Sequence, residues 1–428
     1  MILIDRLFAR FSLSMLMLAI VAGVTASFAY LFPATFNGIL PFHQLRPIHA
    51  SAALFWIITG AACCVSYFSK RRSATFMVIW MVSIVLIFIS YFFNKYGGRE
   101  YWEFPPLLNL PLLIGWLFFM AAFIRKFPEE APVYTWMWTS GIIFFLLTFL
   151  EQNLYHVPWF RESFLREVTV QWKANGSMVG AWNQMINGLS VVLLMLIGNN
   201  KGQAISKKAY FLFFLGLFNL MFNWGHHIYN VPNNNWMRGV AYGVSMTEWI
   251  ILIMIIRDFR RTLDHGRKLR HLVVYRFISA AELWVFANLF LALLMSIPAI
   301  NRHTHGTHIT VAHAMGTTIG INTMLLLAAF GQMIQIDQIA ERTKRRILFA
   351  IRLNNASLAV FWLSLILAGL LKGYLTVDHA DAVFSEVMLK VRPYLEAFTA
   401  SGLGVMVALG IIACIYLKNT SRIRYEDD

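Results

Sequence analysis

The stretch THGTHITVAHAMGTTIGINTMLLLAAFGQMIQ, residues 304–335, sets His305, His308 and His313 at the head of an apolar run. About 20 such residues cross the hydrocarbon layer of a bilayer, and residues 309–335 contain no lysine, arginine, aspartate or glutamate. Polar groups at membrane depth are costly and usually line a site or cavity. The stretch therefore reads as a membrane helix that carries a site at one end.

Comparable runs recur on both sides of it, at 8–31, 47–68, 75–94, 106–124, 132–151, 174–198, 209–229, 239–256, 277–300, 348–371 and 394–417. With 309–335 they predict about twelve membrane helices. Composition agrees: the 428 residues are 58% apolar and 13% charged, where soluble domains hold about 25% charged residues. A mean hydropathy of +0.61 leaves more apolar surface than one water-soluble core could cover. Disorder, collagen and disulfide scaffolds are excluded. Cys63, Cys64 and Cys414 all lie in apolar runs and read as packing residues.

The net charge of +15 is explained by membrane insertion, so no nucleic-acid partner is implied. With a cytoplasmic N-terminus, 25 of the 36 lysines and arginines fall in the inner segments, the bias expected of a polytopic protein. Both termini are then cytoplasmic. The first run is too long for a removable signal peptide and lacks a small-residue cleavage pattern. The longest loops, near 153–173 and 372–393, are placed outside.

The histidines carry the functional signal. His43, His156, His265, His271 and His379 fall in loops and read as solvated surface. The others gather at the outer ends of three predicted helices: His49 on the second, His226 and His227 on the seventh, and His303, His305, His308 and His313 leading into the tenth. Neutral imidazole is a natural ligand of iron and copper. Small residues beside His49 (Ala50, Ser51) and His313 (Ala312, Ala314, Gly316) leave room for a flat macrocycle, and haem ligation from a bundle interior follows.

At these residues the chain resembles the heme-copper oxidase superfamily, and more closely the large, catalytic subunit of cytochrome c-dependent nitric oxide reductase. The resemblance rests on Arg46-Pro47-Ile48-His49, Gly98-Arg99-Glu100-Tyr101-Trp102-Glu103-Phe104-Pro105, Gly225-His226-His227, and Thr304-His305-Gly306-Thr307 through Val311-Ala312-His313. It covers nearly the whole chain and implies an all-α polytopic bundle forming one transmembrane domain, 1–428, in a bacterial inner membrane. It implies His49 as an axial ligand of a low-spin haem b, His313 as the ligand of a high-spin haem b, and His226 and His227 as ligands of a non-haem iron. Glu100 matches a calcium ligand that bridges haem propionates. Glu103 and Glu248 match carboxylates near the proton route and the active site.

Two departures from that pattern stand out. Where the family has a second histidine two residues after the high-spin ligand, this chain has Met315, a competent axial ligand that favours ferrous iron. Where the reductases carry a metal-ligating His and, four residues on, a Glu in the sixth helix, Trp172–Gln184 has neither. The expected pair falls near Gly176 and Gly180, or Asn175 and Val179, with only Asn175, Asn183 and Gln184 as amide donors.

The resemblance implies an oxidoreductase that passes electrons from an outside donor of cytochrome c type to the low-spin haem, and then to a high-spin haem that binds a small gas such as nitric oxide. The altered sixth helix keeps two alternatives open: a nitric oxide dismutase-like variant, and a non-catalytic haem gas sensor or electron-transfer subunit. Oxygen reduction fits less well, because no His-Pro-Glu-Val-Tyr type segment is present. No Cys-x-x-Cys-His attachment occurs either, so a covalent haem would belong to a partner subunit.

Overall fold

A computed structural model of the chain describes residues 2–36, 40–125, 127–128, 130–199, 202, 205–228, 231–232, 234, 236–237, 239–240, 243, 265–378 and 383–423. Glu248 lies outside the described residues, as does most of the run 239–256; His226 and His227 are described in backbone only.

The described residues form long helices: α1 (Ile2–Leu31), α2 (Phe42–Ser69), α3 (Ala74–Phe92), α4 (Asn109–Ile124), α5 (Val133–Gln152), α6 (Phe164–Gly198), α7 (Lys207–Phe222), α8 (Leu272–Ser296), α9 (His308–Met333), α10 (Glu341–Val377) and α11 (Phe384–Asn419). Among the described residues there is no sheet, only an isolated bridge between Arg99 and Trp102. Helices suit lipid because they satisfy every backbone group internally.

Ten of these helices are long and apolar enough to cross a membrane, against the twelve expected. The run 209–229 is interrupted: α7 has 16 residues and passes at Asn223 into a tight 3-10 turn that ends at Ile228. The expected outer loops are also shorter than the polar sequence implied. Ser163 accepts a hydrogen bond from the backbone N–H of Arg166, starting α6 well before its apolar part, and Arg99–Glu167 and Lys173–Glu151 ion pairs hold this extension. At the other outer segment, α10 runs on to Val377 and α11 starts at Phe384.

Helix α9 is the centre of the bundle, packed against α2, α6, α8 and α10. Its middle, Gly316–Thr323, is a π-helix, a distortion common at functional sites. Helix α8 fits over it: a Cβ on Gly316 would lie 2.4 Å from Asn288 Oδ1, and one on Gly320 would lie 2.3 Å from Trp284. Only glycines allow that approach. The Asn288 amide then donates to the His313 carbonyl at 3.0 Å and to Thr317 Oγ1 at 2.7 Å.

On the α2 side, Trp56 stacks on Phe330 with ring centroids 5.8 Å apart and donates to Thr323 Oγ1 at 2.9 Å. A wall of Phe76, Trp80, Trp116, Phe119 and Phe145 fills the space between α3, α4 and α5. Such aromatic pairs add about 0.5–1.5 kcal/mol each beyond their burial. Outward faces are equally apolar: Val82, Val85, Leu86 and Ile89 on α3 and Val360, Leu363, Leu367 and Leu370 on α10 are exposed, which suits contact with lipid. Cys63 and Cys64 are buried as expected, whereas Cys414 lies on the exposed surface.

Candidate functional site

A cavity of about 820 Å³ surrounds α9, at the upper end of the size range of ligand sites. It has His313 on one side of that helix and Met315 on another, and it reaches His49, Ala50 and Ala53 on α2. The small residues expected to make room do so selectively: Ala50 and Ala314 line the cavity, while Ala312 is buried and Ser51 is bonded to the Tyr91 hydroxyl at 2.8 Å.

His49 is oriented by α1. Its Nδ1 lies 2.8 Å from the Ala19 carbonyl, which accepts only, so Nδ1 carries the proton and Nε2 keeps its lone pair. That is the arrangement of a metal-ligating imidazole, whose second nitrogen usually donates to a carbonyl or carboxylate. Gly23, one turn further along α1, lies against the same ring. The donor chemistry and the space around His49 fit a haem.

His313 differs in its support. Its carbonyl is held by Asn288, but its Nδ1 is buried with no hydrogen-bond partner among the described residues. The ring is thus positioned by backbone and packing. Met315, half-buried, has its sulfur 4.0 Å from the Thr318 hydroxyl. The residues fit one haem on each side of α9, with His313 facing one and Met315 the other.

At the rim of the cavity, Arg46 stands one helical turn before His49 and binds Glu103 at 2.5 Å, with Glu100 Oε1 4.0 Å away. Burial pushes the Glu100 carboxyl above its usual range; Arg46 pulls it back and Glu103 pushes it up again. Burial and the Glu100 charge lift Tyr101 to about 12. A calcium ion here would face the Arg46 guanidinium, which already supplies positive charge to both carboxylates. Among the described residues no three His, Cys, Asp or Glu side chains are grouped to hold a metal ion. The rim as described does not fit calcium. His305 lies beside it, edge-on to Trp172 at 5.3 Å, with its imidazole pKa lowered by burial.

The α6 wall carries Asn175, Gly176, Gly180, Asn183, Gln184 and Asn187 along one side. The Asn175 oxygen accepts from Gln152 at 2.6 Å, and Asn183 accepts from Asn322 at 3.2 Å. At Gly180 a Cβ would meet Leu220 of α7 at 3.0 Å. Glycine spacing of the small-xxx-small kind lets α7 close against α6 where the reductase pattern would carry a metal-ligating pair. The described part of this wall does not fit a tightly held iron.

Over residues 4–409 the chain matches the model of the family described as cytochrome c and quinol oxidase polypeptide I. The chain belongs to that family. A nitric oxide reductase polypeptide of Stutzerimonas stutzeri is 20% identical over 90% of this chain and 87% of that one. Cytochrome c oxidase subunit 1 of Rhodobacter capsulatus is 23% identical over 71% of this chain, and the match spans 62% of that relative's length. A heme-copper terminal oxidase dimer solved by cryo-electron microscopy has the same fold, with a TM-score of 0.75 at 14% identity, covering 100% of this chain and 85% of that one. Family membership and, among the described residues, ten helices long and apolar enough to cross a membrane make this a multi-pass membrane protein of the heme-copper oxidase subunit I type, a family of oxidoreductases that use haems and a metal site.

Several residues that build the site escape sequence reasoning. Ala19 and Gly23 give no signal, because their role is to be small and near His49. Asn288 and Glu282 carry one, since each is a polar residue inside the apolar run 277–300.

Proposed function

We propose that this protein is a membrane haem oxidoreductase related to nitric oxide reductase, acting as one transmembrane unit in a bacterial inner membrane with both termini cytoplasmic. The observation that supports it best is the single cavity shared by His49, His313 and Met315 around α9. His49 and Met315 are assigned to a low-spin haem b, and His313 to a high-spin haem b. Haem iron would supply electron storage and an open position for a diatomic gas such as nitric oxide.

The chain's own residues set how that chemistry runs. Ala19 fixes the His49 tautomer, and Met315, as a thioether ligand, would raise the potential of a haem held there, which would suit a high-potential donor such as a cytochrome c or a haem c partner subunit. His226, His227 and Glu248, or an amide of α6, are assigned to a weakly held non-haem iron. Glu103, held by Arg46 at the rim, is assigned to proton exchange with the outside.

A second reading, a non-catalytic haem protein serving as gas sensor or electron-transfer subunit, is favoured by the closure of α7 on Gly180. Purified protein separates the two readings. Two haems, carbon monoxide binding lost in His313→Ala, and slow nitrous oxide formation with iron removed by mild chelation are expected. Two haems with no nitrous oxide at any iron loading would favour the second reading, and protein without haem would overturn both.

A further inference from the structure

The two halves of α9 answer to different neighbours. Met324–Met333 is packed on all sides, with Leu326, Leu327 and Ala328 fully buried and Phe330 stacked on Trp56. The other half, His308–Met315, brings His313 and Met315 to the cavity. Between them lies the π-helix Gly316–Thr323. Each π turn takes up one residue more than an α turn, and one residue is about 100° of rotation at roughly 3.6 residues per turn. The π-helix therefore sets the direction in which His313 and Met315 point relative to the packed half.

Its cause is a set of donors crowded on one carbonyl. In an unbroken α-helix the His313 carbonyl would accept from the N–H of Thr317, four residues on. Here it accepts from the Asn288 amide at 3.0 Å, from Thr317 Oγ1 at 3.2 Å and from the Gly316 N–H. A side chain inserted into the backbone ladder in this way distorts a helix. Asn288 is buried with its amide fully used: its second N–H donates to Thr317 Oγ1 at 2.7 Å, and its oxygen accepts from Trp362 Nε1 at 3.4 Å. Trp362 thus decides which way the amide faces. That ring is held edge-on to Trp284, with centroids 6.0 Å apart, and Trp284 donates to Asn355 of α10 at 3.1 Å. Nothing comparable holds the imidazole itself, because His313 Nδ1 has no hydrogen-bond partner among the described residues.

We propose that Asn288 is a positioning residue: with its amide fixed by Trp362, it locks α9 in the π register and so aims His313 and Met315 into opposite sides of the cavity. This deepens the functional reading above and rests on it for the two haems. One contact on α8 then governs two ligand positions at once. Without it the ladder closes to an α-helix, and both side chains turn by about 100° relative to Met324–Met333.

The test compares the whole native protein with Asn288→Leu, Thr317→Val and Thr317→Ser. Asn288→Leu removes both donors, Thr317→Val removes the hydroxyl at nearly constant shape, and Thr317→Ser keeps it. In the first two, the near-infrared band of the Met315 haem and the iron–histidine stretching band of the His313 haem, read by resonance Raman, should change together. Amide hydrogen exchange over residues 316–323 should quicken about tenfold, the scale of one lost hydrogen bond. Thr317→Ser should keep native spectra and native exchange. Native spectra and exchange in Asn288→Leu would overturn the proposal, and so would a change at the His313 haem alone, the mark of a contact that acts only on its own residue. If Asn288→Leu does not fold, Thr317→Val against Thr317→Ser decides by the same readouts. The exchange measurement needs no haem, so it tests the register in any case, and a failure of the functional reading is seen separately, as native protein without haem.

Discussion

Gly23 on α1 lies so close to His49 on α2 that a Cβ at position 23 would sit 2.6 Å from both Cε1 and Nδ1 of the imidazole. The α1–α2 contact therefore sets where this ring can be. Gly23→Ala forces the ring off the Ala19 carbonyl, and overpacking of this kind costs about 1–3 kcal/mol. The expected outcome is loss of the low-spin haem with retention of the His313 haem, read from haem content and the optical spectrum. Full low-spin haem with unshifted bands in Gly23→Ala would refute the assignment of His49.

Met315 is expected to ligate the same haem from α9. The oxidised protein should show the weak near-infrared charge-transfer band of thioether ligation. Met315→His should abolish that band and lower the haem's reduction potential, because a thioether favours ferrous iron more than an imidazole does. A potentiometric titration showing equal potentials in the two proteins would remove Met315 from the ligand set.

Restoring a histidine to the α6 wall is not expected to rebuild an iron site. Gly180→His places a ring where Leu220 already stands at 3.0 Å from a bare Cβ, so α7 must move. A loss of about 1–3 kcal/mol in stability, seen as a lower Tm, with no gain in tightly bound iron, is expected. A variant of native Tm that holds an additional iron through chelation would show that the α6–α7 closure is not what excludes the metal.

The rim carboxylate makes stability depend on pH. Burial raises the Glu100 pKa, Arg46 opposes that, and Glu103 reinforces it. A carboxyl whose pKa is higher in the folded than in the unfolded chain favours folding while protonated. Its contribution is full below the unfolded value of about 4.3 and is lost as pH rises through the raised folded value. Glu100→Gln should flatten Tm against pH over that window and leave Tm higher than native above it. A native-like slope in Glu100→Gln would assign the pH dependence to another group.

The sequence alone determined that this is a helical membrane protein, because twenty-residue apolar runs and alternating basic loops are local properties set by the solvent each segment meets. It also shows which residues stand at the positions proposed for haem ligands: His49, His313 and Met315 are implied there by the family resemblance. The helix count is less legible. Polar outer segments read as loops although Ser163 capping and ion pairs keep them helical, and the run 209–229 breaks at Asn223. Only the tertiary structure decided what surrounds these residues. The Ala19 bond to His49, the Gly23 contact, the fit of Asn288 and Trp284 over the π-turn of α9, and the closure of α7 on Gly180 all join residues from different helices. Their common physical basis is close approach between helices. A missing side chain leaves no mark on hydropathy or periodicity, and it acquires meaning only when another backbone or ring fills the space it leaves.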